Sequence, residues 1–95
     1  MRQAARTDTN QAEITEALRK VGAVVEDTHR LGDGFPDCIV GHRGELYMFE
    51  IKSAKGKLRK KQLEFRVKMA SVGITVHIVR TPEEGLRIIG VVENG

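Results

Sequence analysis

The sequence has few of the residues that usually signal a mechanism. Its 95 residues include one cysteine, no tryptophan, one tyrosine and three phenylalanines. A single cysteine excludes an internal disulfide framework and any zinc site built on paired cysteines, and predicts a reducing compartment, most simply a cytoplasm. No run approaches the ~20 apolar residues of a membrane span. The opening MRQAARTDTNQ holds no apolar stretch of the kind a secretory signal needs. Four aromatics leave little for stacking on bases. Repeats, low-complexity tracts and linkers are also missing. What is present, 40% apolar and 31% charged residues, is ordinary for one folded soluble domain spanning residues 1–95. So short a chain buries a modest core and gains from efficient packing or from self-association.

The formal charge is only +3 but is unevenly spread. Residues 52–68 contain eight lysines and arginines against the single acid Glu64, a local net of +7, so the remainder carries −4. Such a field favours a polyanionic partner, although a solvated basic face would look the same from charge alone.

Ile14, Ala17, Leu18 and Val21 recur at helical spacing and predict a helix over residues 10–21. Asn10 fits its N-cap, Glu13 a capping box and Gly22 its stop. A β-branched strand follows at 23–28, then a loop with two glycines at 29–35. Strands at 37–40 and 46–52, joined by a turn at 42–45, read as a hairpin. The second helix is predicted from residue 58 or 59 to 71. One stripe carries Leu58, Gln62, Phe65 and Met69, and a neighbouring one Leu63, Val67 and Ala70. Gly73 stops it, a fourth strand occupies 74–79, and Thr81-Pro82-Glu83-Glu84 caps a short last helix through Ile89. The ends, 1–9 and 91–95, read as flexible, with a short fifth strand the alternative for the tail. The order α-β-β-β-α-β-α, with a strand–helix–strand step that needs a parallel neighbour, predicts an α/β fold with a mixed sheet flanked by helices.

Side chains alternate faces along a strand, so the hairpin register decides which residues meet. Placing Gly41 opposite Leu46 sets Val40 against Tyr47, Cys38 against Phe49 and Asp37 against Glu50. Cys38, Val40, Tyr47, Phe49 and Ile51 then form an apolar face, with Cys38 a small buried hydrophobe. The other face gathers Asp37, Ile39, Met48, Glu50 and Lys52. Two opposed carboxylates repel and call for a cation. Lys52 supplies part of it, and hard oxygen ligands at that spacing suit Mg²⁺ or Mn²⁺. A structural ion pair with Lys52 is the plainer alternative.

Gly34-Phe35-Pro36-Asp37 followed by Phe49-Glu50-Ile51-Lys52 resembles the signature of PD-(D/E)XK nucleases, and more closely that of the VRR-NUC domain. The resemblance runs from Asn10 to about Arg80 and includes Gln62 on the helix after the Glu-x-Lys strand. It implies a restriction-endonuclease-like core and a metal-dependent nuclease of the small stand-alone phage and bacterial type, in the cytoplasm of a bacterium or a phage-infected host cell. Asp37, Glu50, the Ile51 carbonyl and a first-helix glutamate, Glu13, would hold Mg²⁺ or Mn²⁺, with Glu16 the fallback for Glu13. Lys52 would assist the attacking water, and Gln62 would sit near the site, although a hydrogen bond to loop backbone explains it too. Lys55, Lys57, Lys60 and Lys61 would bind DNA phosphates. Gly32 and Gly34 would let backbone approach the substrate, and His29 or Arg30 would come within reach of DNA.

The implied activity is structure-selective cleavage of DNA, in the manner of Holliday-junction resolvases that act as homodimers. A flap or nicking endonuclease is the nearest enzymatic alternative. A non-catalytic nucleic-acid-binding module comes from another class, as does an interaction protein with no nucleic acid.

Overall fold

The computed structural model describes residues 9–91. The first helix, α1 (Thr9–Lys20), buries Ile14 and Leu18 completely, as their spacing predicts. It ends on a left-handed Gly22 (φ 93°), whose N–H and that of Ala23 return to the carbonyls of Arg19 and Leu18. Asn10 lies inside this helix and is not its cap, a correction to the reading from sequence. Its side chain instead leaves the helix to bond two strand ends.

Strand β1 (Val24–Asp27) is followed by a 3-10 turn (His29–Leu31), then β2 (Cys38–His42) and β3 (Glu45–Ile51). The β2–β3 register is the one expected: Cys38 faces Phe49, Val40 faces Tyr47 and Gly41 faces Leu46. The ladder runs one pair further, to His42 and Glu45, so the turn is shortened to Arg43-Gly44. Both have positive φ (52° and 83°), which suits the right-handed twist of a two-residue hairpin. Helix α2 (Lys60–Ala70) leads to β4 (Val76–Val79), which lies parallel to β3, and α3 (Pro82–Ile88) closes the order. Thr81 Oγ1 accepts from the Glu84 N–H, and the Glu84 carboxylate accepts from the Arg80 N–H, so the Thr-Pro-Glu-Glu cap forms. The four strands are ordered β1-β2-β3-β4 in one mixed sheet. The predicted tail strand and the end at residues 1–9 fall almost wholly outside the described residues.

One sheet face presents Cys38, Val40, Phe49, Ile51 and Val79 to α1 and α3, and these form the core. Gly85 of α3 brings that helix into contact with Phe49, Val79 and Leu18. The opposite face carries Glu50, which meets α2 through Gln62. Of the two stripes expected on α2, that of Gln62, Phe65 and Met69 is covered or partly so. The other is exposed: Leu63 is 49% and Val67 62% accessible, and Val72 and Ile74 beyond the helix are exposed as well. No described helix is long and apolar enough to cross a membrane.

Candidate active site

Asp37 stands where β2 would have begun one residue earlier. Its N–H donates to Phe49 O (3.0 Å), while its side chain takes over the bond a strand partner would have made, Oδ2 accepting from the Ile51 N–H at 2.7 Å. The regular ladder therefore stops at Cys38, and the Asp37 carboxylate is fixed against the end of β3. Its other oxygen, Oδ1, lies 3.5 Å from His29 Nδ1.

Glu50 is next to it and only 1% exposed. Gln62 Nε2 donates to its Oε2 at 2.7 Å, while Gln62 Oε1 accepts from the Arg59 N–H at 2.8 Å. Its amide thus ties the first turn of α2 to the buried carboxyl. Burial pushes the Glu50 carboxyl up to about 8, the neighbouring Asp37 charge adds to the rise, and Lys52 and Arg59 oppose it.

Lys52 follows β3 and is partly buried. Its main chain is held on both sides, the N–H donating to Val79 O (3.1 Å) and the carbonyl accepting from Asn10 Nδ2 (3.0 Å). The same amide donates to Arg80 O at 2.9 Å, so Asn10 joins α1 to the ends of β3 and β4. Among the described residues the ion pairs are His29–Asp37 and Lys61–Asp33, so Lys52 is not locked to either carboxylate. Glu13 and Glu16 are exposed on α1, and no hydrogen bond or ion pair joins either to Asp37 or Glu50.

Lys55, Lys57, Lys60 and Lys61 are all exposed just beyond the Lys52 end of β3. The connecting segment is shaped by Arg80, whose guanidinium donates to the carbonyls of Ser53 and Gly56. Nothing in the local sequence marks Arg80 or Asn10 for these tasks, because their partners lie 24 to 70 residues away. Gly34 does permit a close approach, but to protein: a Cβ there would overlap the Lys61 carbonyl. With Phe35 packed on Phe65 (ring centroids 5.2 Å apart), it docks the Asp37 loop on α2.

No family model matches the sequence, and no curated protein matches it. A solved structure described as a VRR_NUC domain does match in shape, with a TM-score of 0.68 at 20% identity. The match covers 86% of this chain and 96% of that one. The element order, the mixed sheet and this likeness together give the chain the fold of a VRR_NUC domain, as its Pro-Asp and Glu-x-Lys segments had implied.

Proposed function

We propose that this protein is a Mg²⁺- or Mn²⁺-dependent endonuclease that hydrolyses phosphodiester bonds in branched DNA and works as a homodimer. The observation that carries the reading is the Asp37–Glu50 pair: a buried carboxyl raised to about 8 beside a second carboxylate, with a lysine two residues on. A divalent cation fits this place. One oxygen of each carboxylate is held by a protein donor, Ile51 N–H on Asp37 and Gln62 on Glu50; the other Asp37 oxygen has only the long 3.5 Å contact with His29, which an ion could displace. Among the described residues no three His, Cys, Asp or Glu side chains are grouped as a metal cage. Two carboxylates are nevertheless what Mg²⁺ commonly takes from protein, with water and phosphate oxygens completing its shell. Asp37, Glu50 and the Ile51 carbonyl would hold it, and Glu13 would join only by reaching across from α1.

Such an ion lowers the pKa of water and stabilises charge on the reacting phosphate. The chain's own part is to hold the groups around that reaction. Ile51 N–H and Gln62 orient the two carboxylates. Lys52 brings an ammonium that pairs with neither carboxylate among the described residues and can orient a water and offset negative charge as it grows. Lys55, Lys57, Lys60 and Lys61 supply phosphate contacts that position DNA without reading its sequence. The exposed stripe of Leu63 and Val67 beside the outer edge of β4 is the surface on which a second copy would pack.

A four-way junction, a flap, a nicked duplex and a plain duplex incubated with protein and either metal test the reading, alongside Asp37→Asn and Lys52→Ala. Wild type is expected to cut the junction, and each variant to lose at least about a hundredfold in rate, the scale of one electrostatic stabiliser. Cleavage surviving in both variants removes the site assignment. Cutting of the flap alone removes the resolvase reading, and binding without cleavage under either metal leaves a binding module.

A further inference from the structure

Arg80 stands one step past the Ile51–Val79 pair, on the strand beside Lys52, and its guanidinium bonds the segment that follows Lys52. We infer that Arg80 is a positioning residue for DNA binding: it sets the turn at residues 53–56 so that Lys55 and Lys57 meet the phosphate backbone already ordered. The inference rests on the DNA reading above and adds to it the residue that prepares the basic segment.

The main chain of Arg80 is itself fixed. Its N–H donates to Glu84 Oε1 (2.6 Å) and its carbonyl accepts from Asn10 Nδ2 (2.9 Å), so the side chain starts from a point tied to α1 and α3. Residues 53–56 form a tight turn in which Gly56 N–H donates to Ser53 O at 3.1 Å. Arg80 Nη1 donates to the same Ser53 carbonyl and to that of Gly56 (2.9 Å). Gly56 is a close fit, since a Cβ there would stand 3.0 Å from Ser53 Oγ and 3.3 Å from Ser53 N. The turn thus closes on itself through one bond and is braced at both ends by Arg80.

Charge explains why a brace matters. Lys52, Lys55, Lys57 and Arg80 gather around this turn, and among the described residues none of them is in an ion pair. Like charges repel, and an exposed turn with a single internal bond has little to hold it against repulsion and chain entropy. Bonds from a charged donor to main-chain carbonyls are stronger than neutral ones. They hold the turn without using a lysine for the purpose, which leaves Lys55 and Lys57 exposed for phosphate. A lysine at position 80 would keep the charge, but its flexible stem loses more freedom in holding two carbonyls than a planar guanidinium does.

Fluorescence anisotropy of a labelled four-way junction in chelator measures DNA affinity apart from cleavage. Arg80→Ala is expected to weaken binding about tenfold, because the turn and its two lysines must then be ordered on binding. Arg80→Lys is expected to lie closer to Arg80→Ala than to wild type. A double-mutant cycle separates positioning from a direct phosphate contact or a loss of overall fold. In protein carrying Lys55→Ala and Lys57→Ala, adding Arg80→Ala is expected to change affinity by less than about twofold. The same cycle run with Arg80→Lys covers a failure of Arg80→Ala to fold. A further loss of about tenfold in that background, or wild-type affinity in Arg80→Ala, overturns the inference and leaves the DNA reading standing. Full recovery in Arg80→Lys does the same, since charge alone would then suffice. Failure of the wild type to bind the junction overturns both.

Discussion

Glu50 has almost no water around it, and the polar contacts that replace water are specific. Gln62 donates to one oxygen, and burial, with the neighbouring Asp37 carboxylate, makes ionisation harder. In metal-free protein its folded pKa of about 8 lies above the ~4.3 of an unfolded glutamate. The folded state therefore holds the proton longer. The stability this contributes is complete below the unfolded pKa and is lost as pH rises toward 8. Melting temperatures in chelator should fall from pH 5 to 8 and fall less steeply in Glu50→Gln. Equal slopes for the two proteins would contradict the buried-carboxyl account. Added Mn²⁺ should stabilise most at the upper end of that range, because the ion competes with the proton for the same oxygen. The nearness of Asp37 to Glu50 was legible in the sequence because strand alternation and a hairpin register are local rules, although the ladder itself ends one pair short, at Cys38 and Phe49. The bond from Asp37 to Ile51 N–H was not, since it appears only where the ladder breaks off.

At the scale of elements, the site is a joint between α2 and the loop before β2. Gly34 lets that loop lie directly on the Lys61 carbonyl, at a φ of 83° that other residues rarely adopt. Gly34→Ala meets both obstacles, left-handed strain of about 1–3 kcal/mol and a clash with main chain. A drop of roughly 5–15 °C in melting temperature follows for a domain of this size. An unchanged melting curve would mean that the loop does not dock on α2 as described. The glycine was visible in the sequence, but its neighbour was not, because Lys61 lies 27 residues along the chain. Asn10 is the opposite case. A polar residue near a helix start reads as a cap, and here the helix had already begun, leaving the amide free to bond Lys52 and Arg80.

For the whole molecule, the distribution of apolar surface matters most. Helical spacing on α2 announces two stripes, and the sheet covers one. Val67, 62% exposed, lies beside a cleft of about 250 Å³ that also involves Leu63, Ala70 and Val76. Strand β4 pairs only with β3 among the described residues, and Arg66 caps its Val76 carbonyl. Val67→Asp should leave the monomer's fold intact while reducing the mass in light scattering from twice 10.6 kDa to 10.6 kDa. A wild-type monomer at micromolar concentration would remove the dimer from the proposed function. A dimer that survives the substitution would move it to another surface.

The sequence by itself determined the element order, the hairpin register, the Schellman-type helix ends and the candidate chemistry at Asp37, Glu50 and Lys52. These depend on alternation, helical period and capping, which act over a few residues. Only the tertiary structure decided that Asn10 serves two distant carbonyls, that Gln62 both caps a helix and bonds Glu50, and that His29 lies beside Asp37 Oδ1. It also decided which apolar stripe of α2 is covered. Each of those outcomes depends on which segments fold against one another, and a sheet with two faces does not have to cover every amphipathic surface it meets.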